Sequence, residues 1–210
     1  MKAADFVEQF AQLKASAILR TNDQHKAALA MEAAIRGGFR VVEFTLSVPG
    51  AFELVQDFSR RDGLIVGTGT VLDAEDARLS VEAGAQFLVS PAVDEGMIRA
   101  AVEMDVASMP GTHTPTEMLQ ATRAGAQMCK LFPAPAGGPA WVRATLGPLP
   151  DIRIVPTNGV DEHNAGEWLA AGCFGVGFVA TLFHPEDIAA ENWDAIEARA
   201  RRCLAAVHAG

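Results

Sequence analysis

One lysine and one glutamate stand where charged side chains seldom do. Lys130 sits inside the apolar run Met128-Cys129-Lys130-Leu131-Phe132, while the chain's other three lysines, Lys2, Lys14 and Lys26, lie in polar surroundings. Burying an ammonium is costly. The same burial lowers its pKa and yields a free amine, which can attack a ketone. The competing reading is a strand-end lysine that snorkels to solvent. Glu43 ends Arg40-Val41-Val42-Glu43 and is followed by Phe44-Thr45-Leu46. A carboxyl in a partly apolar pocket can shuttle the protons that imine chemistry needs. It can equally be a structural ion-pair partner of Arg20 or Arg40.

Around these two lie weaker signals. Gly67-Thr68-Gly69-Thr70 and Thr157-Asn158-Gly159 are small-residue turns whose N–H groups and hydroxyls suit a carboxylate or phosphate, and equally suit plain strand-to-helix turns. His113, in Pro110-Gly111-Thr112-His113-Thr114, reads as a loop histidine or a pocket residue. Thr114, Pro115 and Glu117 have the spacing of a helix capping box. No histidine, cysteine or carboxylate spacing suits a metal, so no metal and no cofactor are expected.

These residues need a frame, and the chain repeats one. A helical stretch, a small-Gly step and a short apolar run recur at Arg36-Gly37-Gly38, Ala83-Gly84-Ala85, Ala124-Gly125-Ala126 and Ala171-Gly172-Cys173. The glycine fits a left-handed helix cap, and the apolar run fits a strand buried on both faces of a parallel sheet. Strands are also expected over Ala15–Leu19, Leu64–Gly67, Val106–Met109 and Ile152–Val155. Helices are expected over Asp23–Arg36, Asp73–Ala83, Thr116–Ala124 and Glu162–Ala171, with a terminal helix over about Glu186–His208. Eight such alternations favour a closed (β/α)8 TIM barrel, a single domain spanning residues 1–210. Barrel chemistry sits at the C-terminal strand ends. Those ends carry Arg20, Glu43, Gly69-Thr70, Ser90-Pro91, Pro110-Gly111, Lys130, Thr157-Asn158-Gly159 and Gly177.

Bulk composition narrows the partners. The chain has 210 residues, half of them hydrophobic, and a formal net charge of -9. An acidic surface argues against nucleic acid and anionic membrane. The three widely spaced cysteines, Cys129, Cys173 and Cys203, read as buried free thiols of a reducing compartment. The N-terminal stretch lacks a signal-peptide pattern, and no run is long enough to span a bilayer. A cytoplasmic location is expected.

Taken in order, the motifs resemble a known family, the 2-keto-3-deoxy-6-phosphogluconate / 4-hydroxy-2-oxoglutarate aldolases, over nearly the whole chain. The resemblance is carried by Val41-Val42-Glu43-Phe44-Thr45-Leu46, Ile65-Val66-Gly67-Thr68-Gly69-Thr70-Val71-Leu72 and Glu82-Ala83-Gly84-Ala85-Gln86-Phe87. It continues in Ser90-Pro91, Met109-Pro110-Gly111 and Lys130-Leu131-Phe132-Pro133-Ala134. It implies a (β/α)8 barrel that assembles as a homotrimer. It also implies reversible cleavage of a 2-keto-4-hydroxy acid, phosphorylated or not, to pyruvate and an aldehyde.

By the same resemblance, Lys130 falls on the Schiff-base lysine and Glu43 on the general acid/base. Thr70 falls on the threonine that holds the pyruvate carboxylate, Pro91 on a pocket wall, and Arg20 on an arginine facing substrate anions. Gly69, Phe132, Thr157, Asn158, Gly159 and Gly177 complete the expected substrate contacts. The chain departs from the family at Ser47, where members carry arginine or asparagine. It departs again at Asn158-Gly159, where phosphate-binding members often show Gly-Gly, and at Val179-Ala180, aligned with Gly-Ser. Two alternatives stand beside the aldolase: another phosphate-binding barrel enzyme without an amine nucleophile, and a non-catalytic metabolite-binding barrel of the same fold.

Overall fold

The structure is a computed structural model and describes residues 1–209. Helices and strands alternate in the order α1 (Ala3–Leu13), β1 (Ala15–Leu19), α2 (Gln24–Arg36), β2 (Val41–Thr45), α3 (Ala51–Phe58), β3 (Ile65–Gly69), α4 (Ala74–Glu82) and β4 (Phe87–Val89). The chain continues with α5 (Glu95–Glu103), β5 (Ala107–Met109), β6 (Gly111–Thr112), α6 (Pro115–Ala124), β7 (Cys129–Leu131), α7 (Pro139–Leu146) and β8 (Ile154–Pro156). It ends with α8 (Ala165–Ala170), β9 (Val176–Phe178), α9 (Pro185–Ala189) and α10 (Trp193–Ala209).

The strands are all parallel and curl into two sheets rather than the one eight-stranded ring expected from the sequence. One sheet has the order β5-β4-β3-β2-β1-β9 and the other β6-β7-β8. The division has a local cause. Pro110 lies between β5 and β6 and has no N–H to donate, so the regular ladder breaks there. Its carbonyl still accepts from Lys130 N at 2.9 Å, and Met128 N donates to Ser108 O at 3.4 Å. On the other side Phe174 N donates to Ile154 O at 2.9 Å, and Thr157 bridges Gly177 in parallel register.

Side chains alternate along each strand, and the two faces bury different clusters. Val42, Phe44, Val66, Leu88, Leu131 and Ile154 pack outward against the helices. Val41, Ile65, Phe87, Val89, Met109, Met128 and Val155 form a separate inner cluster with Phe6 and Phe10 of α1. α1 lies outside the helices expected from the sequence pattern. Its Phe6 and Phe10, one helical turn apart, are fully buried, and the Phe6 ring stacks on Phe87 at 4.6 Å. Ala3 N bonds Asp105 O, just before β5, and Lys14 O accepts from Val176 N at the start of β9. The helix therefore plugs the N-terminal end of the strands, opposite Lys130.

Helix boundaries follow local chemistry. Asp23 accepts from Lys26 N, Asp94 accepts from Met97 N, and Asp73 accepts from two N–H groups at the starts of their helices. The capping box of Thr114 and Glu117 forms as expected. Gly38, Gly84, Gly125 and Gly172 all adopt positive φ, which fits the expected left-handed caps. The expected helix over Glu162–Ala171 shrinks to α8, because Asp161 and Asn164 fold the preceding residues into turns. The expected terminal helix is two helices. Glu191, at φ 55, breaks the run, and Arg199 folds α10 back on α9 by pairing with Asp187 at 2.7 Å.

All three cysteines are free and buried. Burial pushes the thiols up, Cys129 to about 11 and Cys173 and Cys203 to about 12. Among the described residues, no helix is long and apolar enough to cross a membrane.

Candidate active site

Lys130 is the middle residue of β7, paired with Gly111 on one side and Val155 on the other. Its inward-facing neighbours along the strand are Met128 and Phe132. The side chain is only 8% exposed, so it does not snorkel to solvent. Its Nζ lies 5.1 Å from the centre of the Phe132 ring. Burial pulls the Lys130 pKa well below its ordinary value. Glu43 opposes that shift, and Arg20 adds to it.

Glu43 is not at a strand end. It is the central residue of β2, between Ile18 of β1 and Gly67 of β3, and is 1% exposed. No arginine pairs with it: Arg40 donates to the carbonyls of Ile35 and Phe39, and Arg20 donates to Thr70 Oγ1 at 3.3 Å. The ion-pair reading of Glu43 therefore has no geometric support. Its Oε1 has no hydrogen-bond partner. Burial raises the carboxyl's pKa, and the positive charges of Lys130 and Arg20 pull part of that shift back. An amine and a carboxyl, each pushed toward neutrality and each feeling the other, face the same interior. That arrangement suits attack on a carbonyl followed by proton transfer.

Two glycines of β3 make room for side chains of the neighbouring strands, Phe87 and Glu43. A β-carbon on Gly67 would fall 2.4 Å from the Phe87 ring, and one on Gly69 would meet the Glu43 carboxyl. Thr70 follows with φ 61, a left-handed conformation that non-glycine residues seldom adopt. Asn158 is similar at φ 58. Strained backbone of this kind persists where the surrounding structure over-determines it, often at sites.

A cavity of about 240 Å³ reaches Lys130. Its polar wall is Arg20, Thr45, Thr157 and Asn158; its apolar wall is Ile18, Phe132 and Val179. Of the residues singled out from the sequence, Lys130, Arg20, Phe132, Thr157 and Asn158 thus come together. Thr70 joins through Arg20, while Glu43 and Gly69 do not line the cavity. Gly177 packs beneath it: a β-carbon there would fall 2.6 Å from Thr157 and 2.8 Å from Ile18. Gly159 packs near Ala134, and the Pro91 backbone lies under Gly111. Neither lines the cavity. His113 is exposed, with Nδ1 3.1 Å from Pro133 O, and stays outside it.

Ile18 and Thr45 were missed. The signal for them was the two-residue strand period, since Ile18 shares a face with Arg20, and Thr45 with Glu43. Among the described residues, no group of three or more His, Cys, Asp or Glu side chains stands close enough to hold a metal ion.

A parallel α/β fold with a buried amine at a cavity and a buried carboxyl within its electrostatic reach suits imine chemistry. The family described as KDPG and KHG aldolase matches residues 7–199. A probable 2-dehydro-3-deoxy-6-phosphogalactonate aldolase of Rhizobium meliloti is 34% identical over 172 residues, 80% of this chain and 81% of the relative. A solved structure described as native KDPGal superposes with a TM-score of 0.86 at 31% identity, covering 94% of this chain and 96% of that one. KDPG aldolase from Legionella pneumophila, with pyruvate captured at low pH as a covalent carbinolamine intermediate, gives a TM-score of 0.82 at 27% identity, covering 95% and 96%. The chain belongs to the KDPG and KHG aldolase family.

Proposed function

We propose that this chain is a class I aldolase that reversibly cleaves a 2-keto-4-hydroxy acid to pyruvate and an aldehyde, with Lys130 as nucleophile and Glu43 as general acid/base. The observation that carries the reading is the burial of Lys130 inside β7 at a cavity, within electrostatic reach of the unpartnered Glu43 carboxyl. The neutral Lys130 amine attacks the C2 ketone. The carbinolamine loses water, and Glu43 supplies and removes the protons of that step. The resulting iminium draws the electrons of the breaking C3–C4 bond while Glu43, through a water molecule, takes the proton of the C4 hydroxyl. The aldehyde leaves, the enamine is protonated at C3, and water releases pyruvate and restores the amine.

Thr70, held by Arg20, orients the substrate carboxylate together with nearby N–H groups. Phe132, Thr157 and Asn158 shape the wall around C2 to C4. Gly69, Pro91, Gly159 and Gly177 support the site from behind rather than by touching the substrate, a reading that rests on the close approaches at each. No cofactor takes part in this scheme.

The architecture we assign is one domain with a closed eight-stranded barrel, in which β5 and β6 count as one strand bent at Pro110. The bonds across both sheet junctions favour closure. A homotrimer in the cytoplasm is the assembly and location proposed, on the family resemblance and the free buried thiols.

The test is borohydride reduction in the presence of pyruvate, followed by peptide mass mapping. One pyruvyl unit on Lys130, absent in Lys130→Met, is the expected result. An adduct confined to Lys2, Lys14 or Lys26 rejects the reading.

A further inference from the structure

The cavity at Lys130 is small. Sites for whole small-molecule ligands usually measure roughly 300–1,000 Å³, against about 240 Å³ here. A second space of about 700 Å³ adjoins it. Arg20 lines both. The hydroxyls of Thr45, on the cavity wall, and Ser47, on the rim of the larger groove, share a hydrogen bond of 2.9 Å. The groove runs between the residues after β1, Ser47 after β2, and the segment leading into α9.

We propose that this groove is the subsite for the distal tail of the substrate, and that it takes an uncharged, polyhydroxylated carbon chain. The proposal rests on the aldolase reading and names the substrate class of that same site. Three observations carry it. First, the alternative direction offers less room and less polar surface: beyond Lys130 the cavity is about 240 Å³, with Ile18, Phe132 and Val179 apolar and Thr157 and Asn158 polar. Second, the groove has two chemically different walls. Phe183, Pro185 and Ile188 form an apolar one, and Thr21, Asn22 and Ser47 present hydroxyls and an amide on the other. A sugar-like chain has the same division, with C–H groups on one side and O–H groups on the other. A purely apolar tail would leave the polar wall unused.

Third, the charges do not favour a phosphate. Lys26 is already engaged by Glu191 at 3.4 Å and by the Ala189 carbonyl at 3.1 Å. Asp23 brings a carboxylate to the same wall. Arg20 is left as the cation for a dianion, and it is partly committed to Thr70.

The test measures kcat/KM for cleavage of three compounds: 2-keto-3-deoxygluconate, its 6-phosphate, and 4-hydroxy-2-oxopentanoate, whose tail is one methyl. Two hydrogen bonds to hydroxyls correspond to roughly 10-fold. The wild type should therefore favour the long uncharged compound over the methyl one by at least about that factor. Ala189 is exposed, and Ala189→Trp would project a ring into the groove. It should cut the long-to-short ratio about 10-fold. The double variant Asn22→Ala, Ser47→Ala changes two exposed residues and should cut the same ratio by a similar factor, which keeps the test decisive if the Trp variant does not fold.

An unchanged ratio in both variants overturns the subsite. A wild-type preference above about 100-fold for the phosphate, or any preference for the methyl-tailed compound over the polyol, overturns the assigned chemistry. Pyruvate–borohydride trapping on Lys130 separates the two levels. Trapping with an unchanged ratio rejects the subsite alone, whereas no trapping in the wild type rejects the aldolase reading and the subsite with it.

Discussion

Gly69 and Glu43 share one space: a β-carbon on Gly69 would stand 1.9 Å from Glu43 Oε1 and 2.8 Å from its Cδ. The two residues lie on neighbouring strands, with Gly69 paired to Thr45, two residues beyond Glu43 and on the same face. Even one methyl on β3 would push the carboxyl out of its position. Gly69→Ala should still let pyruvate be trapped on Lys130, though more slowly, and lower cleavage by about 10² or more, the scale of lost acid–base catalysis. Overpacking should also cost about 1–3 kcal/mol of stability. In a Glu43→Asp background the shorter side chain vacates the contested volume, so the added cost of Gly69→Ala should shrink. Denaturant titration of the four proteins in this cycle checks it, and strict additivity would show that the two residues do not compete.

The amine of Lys130 should react as a base weaker than free lysine. Its pKa is lowered from 10.5, chiefly by burial. The rate of imine trapping with pyruvate should therefore rise with pH through a midpoint below 10.5. The linkage has a definite sign. Between the lowered value and 10.5 the folded protein binds fewer protons than the unfolded chain, so this group's contribution to stability grows as pH rises through that window and is lost as pH falls. A trapping profile with the midpoint of an exposed lysine would show that Lys130 is solvated in solution.

Glu43 has the opposite linkage. Its pKa is raised from 4.5, with burial as the first cause. The folded state holds the proton more tightly, so the contribution is present below 4.5 and lost as pH rises through the folded value. Glu43→Gln keeps the shape without the charge. Its melting temperature relative to wild type should increase from about pH 4 to about pH 8, while turnover falls by about 10² to 10⁴. A relative stability that is flat with pH would place the ionised carboxylate in a well-solvated setting.

Phe6 tests the plug. It is fully buried in α1 and stacks on Phe10 at 5.6 Å and Phe87 at 4.6 Å. Phe6→Ala should cost about 3–5 kcal/mol, the usual range for removing a buried aromatic side chain. The expected readout is a lower denaturation midpoint, with imine trapping retained at temperatures where the variant is folded. A loss below about 1 kcal/mol would mean that α1 does not seal the inner cluster.

Val179 tests the missing hydroxyl. It lines the cavity beside Asn158. Val179→Ser adds one donor, and a hydrogen bond to a charged group is worth about 1.5–3 kcal/mol. A tail that passed Val179 would raise the kcat/KM ratio of phosphorylated to unphosphorylated 2-keto-3-deoxygluconate about 10-fold or more. With the tail in the groove at Phe183 the ratio should instead stay unchanged, and such a rise would overturn that placement.

Much of this protein is set by patterns within short stretches of chain. The alternation of helices and apolar runs, the positive-φ glycines at Gly38, Gly84, Gly125 and Gly172, and the Thr114–Glu117 capping box all follow from neighbours a few residues apart, so they are legible without a fold. Lys130 and Glu43 were legible for a related reason: a lone charge in an apolar run is costly wherever the run is buried. What the local pattern cannot carry is distance across the fold.

The missing N–H of Pro110 interrupts the ladder between β5 and β6 only because strands from other parts of the chain come alongside to pair. Glu43 proved central rather than terminal because β2 continues through Thr45 once β3 pairs with it. Phe6 became a plug only by meeting Phe87, about eighty residues away in sequence. Gly69, marked from the sequence as a substrate contact, also makes room for a carboxyl on the next strand. The sequence alone thus determined which residues were unusual and which segments were regular. The tertiary structure decided which of them share a volume, because steric exclusion and burial depend on contacts that chain order does not encode.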